Sequence, residues 1–344
     1  MKKILLILLL NISFLISNDS FIDICKKPTP SQKTTILALI DGYNEFRKMN
    51  LNKPLLNFND PNICEELAKG KGFPSENGKN ISDLSILKYF SANETLDLSN
   101  NKITDITPLK YLTKLTKLNL SSNKVSKGVE SLENLPLKDL SIVFKNDLVD
   151  ITPIGKIITL ENLYIYNGKN TQKLNSLINV KDLSLSSVDI QSLCDLKGLQ
   201  SLKSLDLRTN TNLKSLECID QFPNLKKLRI ERSPIKDLSP LVNANSIEEF
   251  HFYEMPVEDI SPLAKMKNLR SVLFSKTKIK YLSPLKESKS IQFAEDTREK
   301  FIEEYFNRSL AFCSPKSMKE VREGKSCFNK DGSLKPFYKR WLGI

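Results

Sequence analysis

One short pattern of apolar and polar positions runs through the chain: an apolar residue, one other residue, then a second apolar residue. Leu96-Asp97-Leu98-Ser99-Asn100-Asn101 aligns with Leu118-Asn119-Leu120-Ser121-Ser122-Asn123 at an offset of 22 residues. The pair recurs as Leu140/Ile142, Leu163/Ile165, Leu183/Leu185, Leu205/Leu207, Leu228/Ile230, Phe250/Phe252 and Val272/Phe274. Successive starts are separated by 22, 22, 23, 20, 22, 23, 22 and 22 residues, a period that marks stacked coils. Residues two apart in a strand point to the same side, so each apolar pair enters the interior and the residue between them meets solvent.

A second motif follows several of these strands: Asp105-Ile106-Thr107-Pro108-Leu109, Asp150-Ile151-Thr152-Pro153-Ile154, Asp237-Leu238-Ser239-Pro240-Leu241 and Asp259-Ile260-Ser261-Pro262-Leu263. Tyr281-Leu282-Ser283-Pro284-Leu285 is a weaker copy, and Asp83-Leu84-Ser85-Ile86-Leu87 reads as half of an opening turn. Proline fixes φ and lacks an N–H, so the return side is predicted to be irregular or short 3₁₀ turns rather than long helix. Each coil leaves an apolar face bare until the next one stacks on it. The class is an α/β solenoid, and no Pro/Gly/Ser linker interrupts Asn80 to Leu285.

Over roughly Lys79 to Ile291 the pattern resembles the bacterial leucine-rich-repeat family with 22-residue coils, and the internalins in particular. The resemblance implies a horseshoe with short parallel strands on its concave face, a protein ligand held there, and capping structures at both ends. Two departures stand out. The asparagine that closes the turn is present at Asn101, Asn123 and Asn210, but Lys145, Gly168, Val188, Ser233, Met255 and Thr277 replace it elsewhere. A ladder of asparagine hydrogen bonds is therefore expected to break in the middle coils. Neither a cell-wall sorting signal nor an immunoglobulin-like pattern follows the repeats, so covalent surface attachment is not carried over.

The ends differ from the middle. Met1-Lys2-Lys3 precedes an apolar run, Ile4 to Ile16, of 13 residues that contains Asn11, then the polar Ser17-Asn18-Asp19-Ser20. A basic tip, a short apolar run and a polar exit describe a secretory signal peptide, and spanning a bilayer takes about 20 apolar residues. Between Ser31 and Ala68 the residues Ile36, Leu37, Leu39, Ile40, Tyr43, Phe46, Ile63 and Leu67 recur at helical spacings. Beyond Ile291 the repeat fails, and Thr297 to Phe312 reads as an amphipathic helix through Phe301, Ile302, Tyr305, Phe306 and Leu310. The expected organisation is a signal peptide over 1–17, a helical N-terminal cap over 18–78, repeats over 79–291 and a C-terminal cap over 292–344. The mature chain is expected to be secreted, periplasmic or at the cell surface, without a transmembrane segment.

Cysteine usage agrees with export, since six cysteines are an even count. Cys25 and Cys64 bracket the helical segment, Cys194 and Cys218 occupy nearly equivalent places on adjacent coils, and Cys313 and Cys327 close a short loop. Those three pairs are expected as disulfides. His251 is the one histidine and no C-x-x-C pair occurs, which leaves no zinc site and no serine or cysteine triad in prospect. Nor is there a Gly-rich phosphate loop. No cofactor, metal or catalysis is expected.

The formal net charge is +12, from 52 Lys and Arg against 40 Asp and Glu. Lysines alternate with acids in almost every segment, unlike the concentrated basic stripe of a nucleic-acid binder. The expected function is an extracytoplasmic protein-binding module or adhesin. The alternative is an envelope scaffold that binds an anionic glycan or other acidic polymer. Most outward strand residues are small or charged, such as Asp97, Asn119, Ser141, Ser184 and Asp206. Two regions differ: Tyr164 and Tyr166 on one coil, and Arg208, Arg229, Glu231, His251 and Tyr253 over three successive coils. Tyr and Arg are prominent among interface hot spots, so these seven are the candidate ligand contacts.

Overall fold

The computed structural model describes residues 21–50, 54–68, 77–145, 148–279 and 283–286. The expected signal peptide, the C-terminal cap with its helix, and the Cys313–Cys327 pair lie outside the described residues. The chain divides into two compact units, Met1–Leu177 and Ile178–Ile344.

The first unit opens with helices α1 (Pro30–Asn50) and α2 (Ile63–Ala68). A disulfide joins Cys25 to Cys64, with Cα atoms 5.7 Å apart. α1 buries Ile36, Leu39 and Ile40, whereas Leu37, counted with the same stripe, is 41% exposed. The next residue on a helix sits about 100° around the axis, so Leu37 falls off the buried face. The start of α1 is tied to the opening turn: Ser31 Oγ donates to Asp83 Oδ2 (3.2 Å) and buried Thr35 Oγ1 to the Asp83 carbonyl (2.7 Å). Phe21 is wholly buried, edge-on to Phe90 at 5.1 Å.

Strands β1 (Thr95–Asp97), β2 (Lys117–Val125), β3 (Asp139–Phe144) and β5 (Asn162–Tyr166) run parallel. Their register pairs Leu96 with Leu118, Leu118 with Leu140, and Leu140 with Leu163, as the repeat spacing requires. In the second unit β7 (Asp182–Ser186), β8 (Ser204–Arg208), β9 (Lys227–Glu231), β10 (Glu249–Tyr253) and β11 (Ser271–Ser275) are likewise parallel. There Leu183, Leu205, Leu228, Phe250 and Val272 fall in one row. Every residue of the nine apolar pairs is buried, and in the second unit Phe250, Phe252 and Phe274 stack at 4.8 and 5.2 Å. The longer Leu205-to-Leu228 coil keeps this register and puts its extra residue into the return loop.

The return side consists of short 3₁₀ turns, among them Thr107–Tyr111, Ile154–Lys156 and Ser239–Asn243. Two copies of the Ser-Pro-Leu start form four-residue α turns instead, α3 (Ser261–Ala264) and α4 (Ser283–Lys286). The recurring aspartate begins five of the described return turns. Asp83, Asp105, Asp150, Asp237 and Asp259 accept the backbone N–H two residues on, each at 2.8 Å. The side chain thus satisfies an N–H that the short turn leaves without a partner. Cys194 and Cys218 lie on neighbouring return turns of the second unit, bonded with Cα atoms 5.2 Å apart.

The asparagines act as expected. Asn101 accepts from Ile81 N–H (2.9 Å) and donates to Leu98 O, Asn123 accepts from Ile103 N–H (3.0 Å), and Asn210 accepts from Val188 N–H (3.0 Å). Where the ladder residue is Gly168, the backbone bridges in its place. Strands β4 (Val149–Asp150) and β6 (Gly168–Lys169) form a separate two-stranded sheet, and a Cβ at Gly168 would lie 2.7 Å from Ile151. At Ser233 the hydroxyl donates to Leu213 O (3.0 Å). A second set of polar donors lies four residues before four of the strand pairs. Thr159 donates to Leu137 O (2.7 Å), Asn224 to Gln200 O (2.9 Å), Ser246 to Phe222 O (3.1 Å) and Asn268 to Asn245 O (2.6 Å). These bonds tie successive coils together nearer the surface than the buried asparagines do.

Candidate functional site

The site follows from how the chain leaves each strand. Two residues beyond the second apolar residue, Asn100, Ser122, Asn167, Ser187, Thr209, Arg232, Glu254 and Lys276 all hold positive φ, from 51° to 67°. This left-handed step turns the ladder residue inward and costs a non-glycine residue about 1–2 kcal/mol. The third coil differs: β3 runs on to Phe144, which is buried at the corresponding position. Side chains at the left-handed step emerge on the rim beside the strand face.

On the strand face of the second unit, Asp206, Arg229, His251 and Leu273 form the central row, and Arg208, Glu231, Tyr253 and Ser275 the row after it. Five of the expected contacts therefore come together: Arg208, Arg229, Glu231, His251 and Tyr253. Arg208 Nε donates to both oxygens of Asp206, at 2.9 and 3.1 Å, and its Nη2 also reaches that carboxylate. Arg229 is held differently. Its guanidinium carbon stands 5.2 Å from the centre of the Tyr253 ring, its Nη2 lies 3.5 Å from Glu231 Oε2, and its Nε is shielded from solvent with no acceptor. The Glu231 side chain is 17% exposed and shares its other oxygen with Arg232 (3.3 Å).

Sequence reading missed the rim that continues this cluster. Arg232 Nε contacts Glu254 Oε2 at 2.8 Å and Lys276 Nζ contacts Glu254 Oε1 at 2.6 Å. Hydrogen bonds from Arg232 and then Lys276 hold the Glu254 carboxyl down to about 2. The 22-residue offsets among Arg232, Glu254 and Lys276 carry the signal, but only the left-handed step puts them side by side.

Tyr164 and Tyr166 belong to the first unit, on the solvent side of β5, in register with Ser141 and Val143 of β3. Around them the face is small and polar: Ser121 and Ser141 hydroxyls meet at 2.6 Å, and Asn119 accepts from Ser121 N–H (3.0 Å). Asp139 is bound by Lys117 (2.9 Å) and Asn162; burial works against its charge, but these hydrogen bonds prevail and lower its pKa.

Lysines elsewhere pair with acids of the next coil, as in Lys138–Glu161, Lys156–Glu133, Lys226–Glu248 and Lys227–Glu249. Among the described residues no His, Cys, Asp and Glu cluster has the form of a metal site, and no helix is long and apolar enough to cross a membrane. The two disulfides fit an oxidising compartment.

Parallel strands at a 22- to 23-residue period, buried apolar pairs and short capped return turns define a leucine-rich-repeat fold, whose members are in general protein-binding scaffolds. Residues 94–136 match the family model for two copies of leucine-rich repeats. The fold is internalin-like: an internalin (InlF) of Listeria monocytogenes superposes with a TM-score of 0.60 at 19% identity, over 78% of this chain and 78% of that one. A leucine-rich-repeat protein of Leptospira interrogans gives a TM-score of 0.49 at 21% identity, over 71% of this chain and 70% of its own. The second superposition is too loose to add to the fold assignment. None of the curated proteins matches the chain in sequence.

Proposed function

We propose that this chain is an extracytoplasmic protein-binding module, exported by the signal peptide at 1–17, that holds its ligand on the solvent face of its strands. Tyr164 and Tyr166 serve as contacts in the first unit, and Arg208, Arg229, Glu231, His251 and Tyr253 in the second. The observation that carries this reading is the Arg229–Tyr253 pair, an arginine seated over a tyrosine ring on a face where alternation aims both side chains outward. Core packing has no use for them there, and such residues combine large contact area with directed polar groups. Around the two tyrosines of the first unit, serine and asparagine supply adaptable hydrogen bonds of the kind that antibody paratopes use.

The test is a pull-down from extracellular extract with the secreted chain, repeated with Arg229→Ala/Tyr253→Ala and with the return-side pair Lys110→Ala/Lys265→Ala. The strand-face pair should abolish capture and the return-side pair should leave it intact. The reverse result would move the binding surface to the return side. Capture that survives the strand-face pair but collapses as salt rises would point to an acidic polymer.

A further inference from the structure

We infer that the strand face of the second unit recognises an acidic side chain of its protein ligand, received on the Arg229 guanidinium, with an apolar ligand residue seated beside Leu273. This rests on the proposed function, and it follows from a contrast between two arginines on one face. Arg208 has a carboxylate of its own: Asp206 takes its Nε and Nη2. Arg229 has none so placed. Its Nε has no acceptor, and the 3.5 Å to Glu231 exceeds the roughly 2.7–2.9 Å of a charge-assisted hydrogen bond. Glu231 divides its one charge between two arginines, its Oε2 facing Arg229 and its Oε1 Arg232, and reaches only Nη2 of Arg229.

An arginine carries five donors in a rigid fork that suits a carboxylate, and a shielded N–H without an acceptor is a state that proteins rarely keep. The Tyr253 ring orients the guanidinium in advance, so a ligand carboxylate finds a positioned partner rather than a mobile one. Drawing Arg229 slightly outward onto such a carboxylate would satisfy Nε as Asp206 satisfies Arg208. The register then sets what lies beside it. Arg229, His251 and Leu273 are consecutive in the central row, so Leu273 stands two strand spacings from Arg229, about 10 Å. In a polyproline II segment, with three residues per turn and about 3.1 Å per residue, side chains three apart share one side, so such a ligand crossing the strands would bring an apolar residue to Leu273 three positions from its acidic one.

The experiment pans phage-displayed random linear peptides against the full secreted chain and against the Arg229→Gln and Arg229→Ala/Tyr253→Ala variants, after thermal melts have shown each to be folded. Peptides enriched on the native chain should carry Asp or Glu with an apolar residue about three positions away. Arg229→Gln should weaken them by about ten- to a hundredfold, and Arg229→Lys should restore part of the loss by returning charge without the fork. Peptides that lose binding to the double variant yet carry no acid overturn this inference and leave the proposed surface standing. Peptides indifferent to the double variant, or a failure to enrich any, overturn both. Competition by a uronate oligosaccharide but not by acidic peptides would assign the carboxylate to a glycan and overturn the protein partner.

Discussion

Asn93 offers the sharpest test of the packing. It stands three residues before the first apolar pair, where the other coils carry Leu115, Leu137, Leu160, Val180, Leu202, Leu225, Ile247 and Leu269, all at 0% exposure. Asn93 is 3% exposed, and neither Oδ1 nor Nδ2 has a hydrogen-bond partner. Its backbone N–H donates to Phe90 O (3.2 Å), the same turn that Leu225 makes with Phe222 (3.2 Å) and Ile247 with Ala244 (3.2 Å). Leucine should therefore fit without moving the chain. A buried polar group left unsatisfied costs about 1–3 kcal/mol. Burying a leucine side chain contributes about 1.5–3 kcal/mol as an upper estimate. Allowing for imperfect packing, Asn93→Leu is expected to stabilise the protein by about 2–4 kcal/mol. Urea unfolding followed by circular dichroism measures this as a higher midpoint at unchanged slope. Asn93→Ala, which removes the amide but leaves a void, should gain much less. A midpoint that falls in Asn93→Leu would mean that the amide is satisfied in solution, and the reasoning would be wrong.

Other consequences follow from the same contacts. A Cβ at Gly155 would sit 2.2 Å from the Lys173 carbonyl oxygen on the next coil, so Gly155→Ala should cost about 1–3 kcal/mol in the same unfolding assay. Removing the Cys194–Cys218 bridge, which spans 24 residues, should cost about 3 kcal/mol, measured on the double serine variant beside the native chain. Asp237→Ala should cost about 1 kcal/mol by removing the turn-starting acceptor, and Asp237→Asn should retain most of it; equal losses would deny the capping role. Glu254 has its folded pKa depressed from 4.5 to about 2, so its contribution is complete above about 4.5 and is lost as pH falls toward 2. A melting series against pH should show a flatter acid limb in Glu254→Gln, and an unchanged limb would mean that solvent already screens the pairs with Arg232 and Lys276.

Burial was legible in the sequence because it obeys a local rule. In a strand, alternate side chains share a side, so Leu96/Leu98 through Val272/Phe274 announced both the core and the period of the coils. The same period placed Cys194 and Cys218 on matching turns, and it grouped Arg229, Glu231 and Tyr253 on one face. Partner choice was not legible. That Asp206 satisfies Arg208 while Arg229 keeps a bare Nε depends on side-chain reach across strands, which no spacing records. Nor did the pattern disclose that β4 and β6 bridge where asparagine is missing, or that Thr159, Asn224, Ser246 and Asn268 supply a second row of donors. Apolar burial depends mainly on which side of the chain a residue faces, and alternation decides that within a few residues. A hydrogen bond depends on where a particular acceptor lies in the neighbouring coil, some 20 residues away in sequence and about 5 Å away in space, and only the stacked coils decide it.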